Sequence, residues 1–247
     1  MYQRVKEVLK KIIPKDLLFR YEEIIRFPFA IQYYGRNHVC NICNAHLRKF
    51  IVLDTGEKIC PYCGSLSRTR RLYKILLDRF DLKGNVLHFS PSRSLYRRLK
   101  KNKSISYFST DFENEFIADF QYDITAISVE DNLFDFIICY HILEHIENDK
   151  KAMSELYRVL KPNGILLIQT PFKDGEIYED PSIKDPNERL HHFGQEDHVR
   201  VYSVEGLKNR LKESNFTRIQ SLEFTSDDAD PSTNGLLTEE TILEVTK

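Results

Sequence analysis

Four cysteines constrain this chain more than any other feature. They fall as Cys40-x2-Cys43 and Cys60-x2-Cys63, with sixteen residues between the pairs. A Cys-x2-Cys turn presents two thiolates to one ion, and two such turns facing each other make a tetrahedral sulfur cage. In the second turn, Cys60-Pro61-Tyr62-Cys63-Gly64, proline sets the bend and glycine permits the chain's tight return. The stretch between the pairs predicts a β-hairpin turning near Asp54–Gly56. The whole reads as a zinc ribbon with Cys40, Cys43, Cys60 and Cys63 as ligands. Iron is the chemical rival, because a thiolate cage accepts it too. No ligand position is left open, so the ion's role is structural.

Reduced thiols fit the rest of the chain. Residues 1–20 carry Arg4, Lys6, Glu7, Lys10, Lys11, Lys15, Asp16 and Arg20, which leaves no uninterrupted apolar stretch for an export signal. Elsewhere the apolar runs are too short for a membrane-spanning helix. A cytoplasmic location is the expectation. With 41% hydrophobic and 30% charged residues the chain is globular rather than disordered. Its net charge of −1 sets it apart from dedicated nucleic-acid binders.

That charge is unevenly spread. Residues 1–38 hold eight Lys/Arg and four acids, and residues 65–103 hold twelve Lys/Arg against only Asp78 and Asp81. The second stretch is either a solvated helix face or a grip on a phosphate-bearing substrate. Residues 1–37 alternate short apolar groups with charges, broken by Pro14 and Pro28, and predict one or two amphipathic helices. A lid over the substrate and a membrane-surface anchor are the alternatives for that segment.

From Asn85 onward strands and helices alternate. Strands are expected at Val86–Phe89, Ile105–Thr110, Phe116–Tyr122, Phe134–Tyr140 and Ile165–Thr170, with helices over 93–103 and from about Ile146 to Leu160. Lys161-Pro162-Asn163-Gly164 stops the second helix. Such alternation with short connections implies a doubly wound parallel sheet with ligands over the carboxyl ends of its strands.

Three passages carry a resemblance to a known family. They are Phe134-Asp-Phe-Ile-Ile-Cys-Tyr-His-Ile-Leu-Glu-His-Ile146, then Leu156-Tyr-Arg-Val-Leu-Lys-Pro-Asn-Gly-Ile-Leu-Leu-Ile168, then a tail of helix 203–214 and strands 216–225 and 241–247. Over residues 84–247 the chain resembles class I S-adenosylmethionine-dependent methyltransferases, in particular bacterial ones with a zinc ribbon ahead of the domain. The resemblance implies a Rossmann-like seven-stranded methyltransferase sheet, and a division into residues 1–37, a ribbon at 38–70 and a methyltransferase domain at 71–247. It departs from the family in the first loop, His88-Phe89-Ser90-Pro91-Ser92, which has no glycine.

The resemblance also places the cofactor. Asp111 would accept the ribose hydroxyls with Phe112 beside it, Asp123 the adenine amino group, and Ile124 would flank the ring. Phe89, Ser90 and Pro91 would line the methionine moiety, with Cys139 and Tyr140 beneath it. A helix cap is the alternative for Asp111, a cap or turn residue for Asp123, and plain packing for Cys139. The motif His141-Ile-Leu-Glu144-His145 is similar to the Glu-x-x-Glu-His segment with which ubiquinone-pathway and small-RNA methyltransferases hold a divalent ion. On an α-helix, positions 141, 144 and 145 share one face. His141 in place of glutamate favours a softer ion than Mg²⁺. A further ligand or a general base would come from His192 or His198, and His141 itself is a candidate base. A purely structural cluster is the remaining reading. The function implied is methyl transfer to an O or N nucleophile of a small molecule or glycan. The rivals are an RNA methyltransferase gripping its substrate with the ribbon and residues 65–103, and a scaffold that has lost activity.

Overall fold

The computed structural model of the protein describes residues 19, 21–54, 56–115, 117–225, 234–237 and 239–247. The helices expected before position 19, and any anchor or lid they would form, lie outside the described residues. The chain packs as two units: residues 1–80, 92–98 and 226–238, and residues 81–91, 99–225 and 239–247. Among the described residues no helix is long and apolar enough to cross a membrane.

The first unit begins with α1 (Glu22–Ile31), which buries Glu22 and Ala30 on one side. Glu22 accepts from Arg26 Nε at 2.9 Å and Arg97 Nη2 at 2.6 Å. Burial alone would raise its pKa, but these guanidinium groups and Arg93 outweigh burial and hold its carboxyl below the usual range. Two short hairpins follow, β1 (Tyr34–Val39) with β2 (His46–Leu47) and β3 (Ile51–Val52) with β4 (Lys58–Ile59). The second turns where expected: Gly56 has φ +81° and donates to Leu53 O at 2.9 Å.

Next comes α2 (Ser67–Arg79), whose sequence lies within the basic stretch 65–103. Two of its four arginines depart from the expectation of a solvated face, while Arg79 is exposed. Arg70 and Arg71 are 0% and 2% exposed. The Arg70 guanidinium donates to Lys58 O and Asn234 O at 2.9 and 2.8 Å, and to Ser65 O and Gly235 O, while stacking on Phe50. A buried cation survives because carbonyls replace its water.

The second unit is a six-stranded sheet in the order β11-β12-β8-β7-β5-β6. Its parallel strands are β5 (Gly84–Phe89), β6 (Ile105–Thr110), β7 (Phe134–Tyr140) and β8 (Leu160–Gln169). The tail forms β11 (Arg218–Phe224) and β12 (Glu240–Thr246), paired antiparallel to each other and, through β12, to β8. This is a Rossmann-like α/β fold with a mostly parallel sheet. β7 is apolar apart from Asp135 and buried along most of its length, the pattern of a strand covered on both faces. α3 (Arg93–Lys100) lies mostly in the first unit, and the helices of the second are α4 (Asp149–Val159), α5 (Pro186–Phe193) and α6 (Val204–Glu213). Leu87, Ile137, Met153, Leu156, Ile168, Leu207 and Leu243 make the centre of its core.

A seventh strand over 116–122 is not seen among the described residues: only a single bridge, Thr110↔Phe120, joins β6. The amides of Asp119 and Phe120 both turn to Ser109 O, and the Asp119 carboxylate takes the Ser109 hydroxyl at 2.7 Å. Those bonds bend the chain where a ladder would need it straight. At the other end of β5, Gly84 has φ +70°, and a Cβ there would lie 2.2 Å from Asp135 Oδ2. That carboxylate accepts Asn85 N at 2.7 Å and Lys161 Nζ at 2.8 Å, so glycine lets β5 begin against it.

Candidate cofactor and acceptor site

Two groups of residues merit attention, one in each unit. In the first, Cys40, Cys43, Cys60 and Cys63 bring their four sulfurs within 4.8 Å of one another. Cys40 Sγ lies 3.7 Å from Cys63 Sγ, and Cys43 Sγ 3.8 Å from Cys60 Sγ. A disulfide requires about 2.05 Å. A tetrahedral ion with S–ion arms of about 2.3 Å requires edges of about 3.8 Å. The two turns share one hydrogen-bond pattern. Asn44 N donates to Cys40 O and Cys40 N to Ala45 O, just as Gly64 N donates to Cys60 O and Cys60 N to Ser65 O. Asn44 and Gly64 hold left-handed φ of 59° and 73°.

In the second unit the carboxyl ends of β5, β6, β7 and β8 define the cleft edge. Ser90, directly after β5, adopts φ +42°, the left-handed value for which the family usually supplies glycine. It is held there by its amide on Thr110 O at 2.7 Å and by its hydroxyl, which donates to Asp111 Oδ1 at 2.6 Å. Asp111 is buried, and its Oδ2 accepts Glu115 N at 2.7 Å. Phe89 and Ile124 are buried at the same end of the sheet, while Phe112 is exposed. Asp123 spends Oδ1 on Thr125, on its amide at 2.7 Å and its hydroxyl at 2.8 Å, the turn geometry that was its alternative. Cys139 is wholly buried, and burial together with the nearby Glu144 charge pushes its thiol far up, so it packs as a neutral group. Tyr140 ends β7 half-buried.

The histidine motif does not form one helical face. His141 takes φ +54° and donates its amide to Gln169 O, Leu143–His145 is a 3-10 turn, and α4 starts only at Asp149, capped by Asn148. The spacing rule for an α-helix therefore does not apply. What converges is Glu144, His145 and His198, whose candidate ligand atoms lie within 4.8 Å of one another. His141 stands beside them with Nδ1 3.3 Å from Glu144 Oε1. Glu144 is 1% exposed, and its Oε2 has no hydrogen-bond partner among the described residues. Burial works to raise its pKa, yet the His141 hydrogen bond and the His141 and His145 charges outweigh burial and keep it ionised. His198 is buried, with Nδ1 3.2 Å from Phe193 O, so that nitrogen carries the proton and Nε2 is left as the ligand atom. Burial, and then His145, lower its pKa and keep the ring neutral. His145 Nδ1 lies 3.1 Å from Asp197 Oδ2. His192 is elsewhere, its Nδ1 2.6 Å from Tyr178 Oη at the surface.

The insertion that brings in His198 also contains β9 (Tyr178–Glu179) and β10 (Arg200–Val201). Arg200, 5% exposed, donates to Leu143 O at 3.1 Å, to Ile146 O, and to Glu147 O at 2.9 Å, and its Nε binds Glu179 Oε2 at 2.8 Å. Val199 N donates to Glu144 O at 2.9 Å. Sequence reasoning missed Arg200; nothing local marks an arginine that serves carbonyls over fifty residues away.

A parallel sheet with an acid at the tip of its second strand is the arrangement in which nucleoside cofactors bind over the carboxyl ends of the strands. A family model described as "Methyltransferase domain" matches residues 34–221, and the chain belongs to that family. It carries a methyltransferase domain. Among curated proteins it is 26% identical over 153 residues to a mitochondrial ubiquinone biosynthesis O-methyltransferase of Dictyostelium discoideum, covering 58% of this chain and 44% of that one. It is 42% identical over 48 residues to a ubiquinone biosynthesis O-methyltransferase of Rickettsia typhi, covering 19% of this chain and 20% of that one. The chain thus spans less than half the length of these relatives. A solved methyltransferase of Thermotoga maritima, a possible histamine N-methyltransferase, shares the fold with TM-score 0.53 at 13% identity, covering 73% of this chain and 90% of that one. One of Archaeoglobus fulgidus does so with TM-score 0.52 at 15% identity, covering 72% and 92%.

Proposed function

We propose that the protein transfers the methyl group of S-adenosylmethionine to an oxygen or nitrogen nucleophile of a small molecule or glycan, using a divalent ion held by Glu144, His145 and His198. One observation carries this reading: a carboxylate oxygen, Glu144 Oε2, buried with no partner beside two imidazoles. Leaving such a group unpaired costs about 1–3 kcal/mol or more, which a bound cation removes. The donor set of two imidazoles and one carboxylate suits Zn²⁺, Mn²⁺ or Fe²⁺ better than Mg²⁺. When bound, the ion would acidify and orient an acceptor hydroxyl. The names of the curated relatives make oxygen the favoured nucleophile.

The chain's own residues supply the rest. Asp111 and the Ser90 loop hold the ribose, and Asp123, Ile124, Phe89, Pro91 and Phe112 line the cofactor. In-line attack on the methyl carbon breaks its bond to sulfur while the acceptor's proton leaves to a base. His141 is the base candidate, being 27% exposed where Glu144 and His198 are buried. Catalysis here is mainly positioning. The cysteine cage holds a structural zinc ion; burial lowers the pKa of the neighbouring Arg70 guanidinium, and the four thiolates act against that to keep its charge beside the cage's excess negative charge. Domain limits at 37/38 and 70/71 complete the reading.

The test is a titration with a mild chelator. Activity and ion content at the Glu144 site should fall together while one zinc ion stays bound in the thiolate cage. Full activity of a Glu144→Gln, His198→Gln double variant would refute the reading.

A further inference from the structure

The two units divide the charge sharply. Among the described residues the first carries thirteen Lys/Arg against five Asp/Glu, net +8, and the second seventeen against twenty-seven, net −10. Within the basic unit, α1 turns an apolar side to water. Ile24, Phe27 and Ile31, spaced i, i+3 and i+7, are 68%, 54% and 58% exposed, and Tyr34 at the start of β1 is 69% exposed. The helix's first carboxylate, Glu22, is the buried one. Phe27 meets the ring of Tyr62 edge-on with centroids 6.3 Å apart, so the stripe runs onto the second cysteine turn. Cations border it. Arg36, Arg48 and Lys49 are exposed, and Arg48 N donates to Tyr33 O at 2.8 Å, which sets Arg48 next to Tyr34.

Singly exposed apolar side chains mean little, but a continuous stripe with a basic surround has a specific fit. We infer that this side of α1 and the start of β1 dock on an anionic lipid bilayer, with α1 lying in the plane of the headgroups. An interfacial helix needs an apolar strip to enter the acyl boundary and cations to meet the anionic headgroups, and this unit has both. Two of the three helical positions are isoleucine, which has no ring for a base to stack on, so single-stranded nucleic acid fits the strip less well. The acidic second unit would be repelled by the same bilayer, so attachment is confined to the basic unit.

The experiment is co-sedimentation of the full chain with phosphatidylcholine vesicles with and without added phosphatidylglycerol. Binding should require the anionic lipid and weaken as salt rises. A triple variant, Ile24→Ser, Phe27→Ser, Ile31→Ser, should partition at least about tenfold more weakly, since losing one buried large apolar group already accounts for about that factor. Its cysteine-bound metal and cofactor affinity should match the parent, which shows that both units still fold. An Arg36→Gln, Arg48→Gln, Lys49→Gln variant should lose most of the salt-sensitive part. Failure to sediment, equal binding to both vesicle types, or a triple variant that binds like the parent overturns the inference. So does tighter binding to polyuridylate than to anionic vesicles that the triple variant leaves unchanged.

Discussion

Replacing Arg200 with glutamine should cost about 3 kcal/mol of stability and disassemble the Glu144–His145–His198 group. The magnitude follows from what the guanidinium serves. Three carbonyls, Leu143, Ile146 and Glu147, receive its protons, each bond being worth about 1 kcal/mol, more when the donor is charged. Glu179 at 2.8 Å and Asp149 at 3.8 Å would be left with less compensation. Breaking a buried ion pair from one side costs about 3–5 kcal/mol, but Glu179 is 35% exposed, so the lower end applies. In a chain of this size that is a fall in melting temperature of about 6–12 °C. Because the same bonds join the Leu143–Glu147 segment to the strand beyond His198, ion affinity should fall with stability. Denaturant unfolding gives the first quantity. Titration of zinc-loaded protein with Co²⁺, followed by its weak visible bands, gives the second. Arg200→Lys keeps a charge for Glu179 but lacks the planar fork, and should recover only part of either. An Arg200→Gln protein within about 1 kcal/mol of the parent, with unchanged Co²⁺ affinity, would refute the argument.

Four further outcomes are expected. His88 is buried, and burial lowers its pKa to about 3, while its Nδ1 meets Tyr107 Oη at 2.9 Å. Its unfolded-state pKa of about 6.5 lies above the folded one, so stability present above that pH is lost on acidification by about 1.4 kcal/mol per pH unit. Unfolding measured from pH 7 to 4 should show this slope, and His88→Asn should flatten it. Gly84→Ala should destabilise by at least about 1–2 kcal/mol, since it adds a left-handed alanine and a clash with Asp135; thermal unfolding at parent values would disprove the clash. Asp111→Ala should weaken S-adenosylmethionine about tenfold or more by calorimetry. Cys60→Ser should release the cage ion, seen as lost zinc by elemental analysis, with reduced stability.

The parallel sheet was legible because Phe134–Tyr140 and the Ile165–Ile168 half of β8 are written in near-continuous apolar residues. The cysteine cage was equally plain, since its spacing is set by bond lengths rather than by context. The candidate ion site was only half legible. Glu144 and His145 stand in the motif, but their geometry depends on a 3-10 turn, and His198 reaches them through an insertion with no periodicity to read. Asp119 explains the missing strand: its bonds to Ser109 are as local as a turn, yet nothing in Phe116–Tyr122 distinguishes them from an ordinary edge. The basic stretch misled for a similar reason, because Arg70 looks solvated until its four carbonyl partners are known.

The shortened edge of the sheet bears on how the cofactor is held. Asp123 and Ile124 follow a segment tied to β6 by one bridge, by the Asp119 and Phe120 bonds to Ser109, by Asp111 N on Phe120 O at 3.2 Å and by Tyr122 N on Thr110 Oγ1 at 2.7 Å. With no ladder along it, this segment should open at lower local cost than β5 or β7, and its amides should exchange with deuterium before theirs. On the proposed reading adenine lies against this segment, so added S-adenosylmethionine should slow that exchange, with part of its binding free energy spent on the ordering.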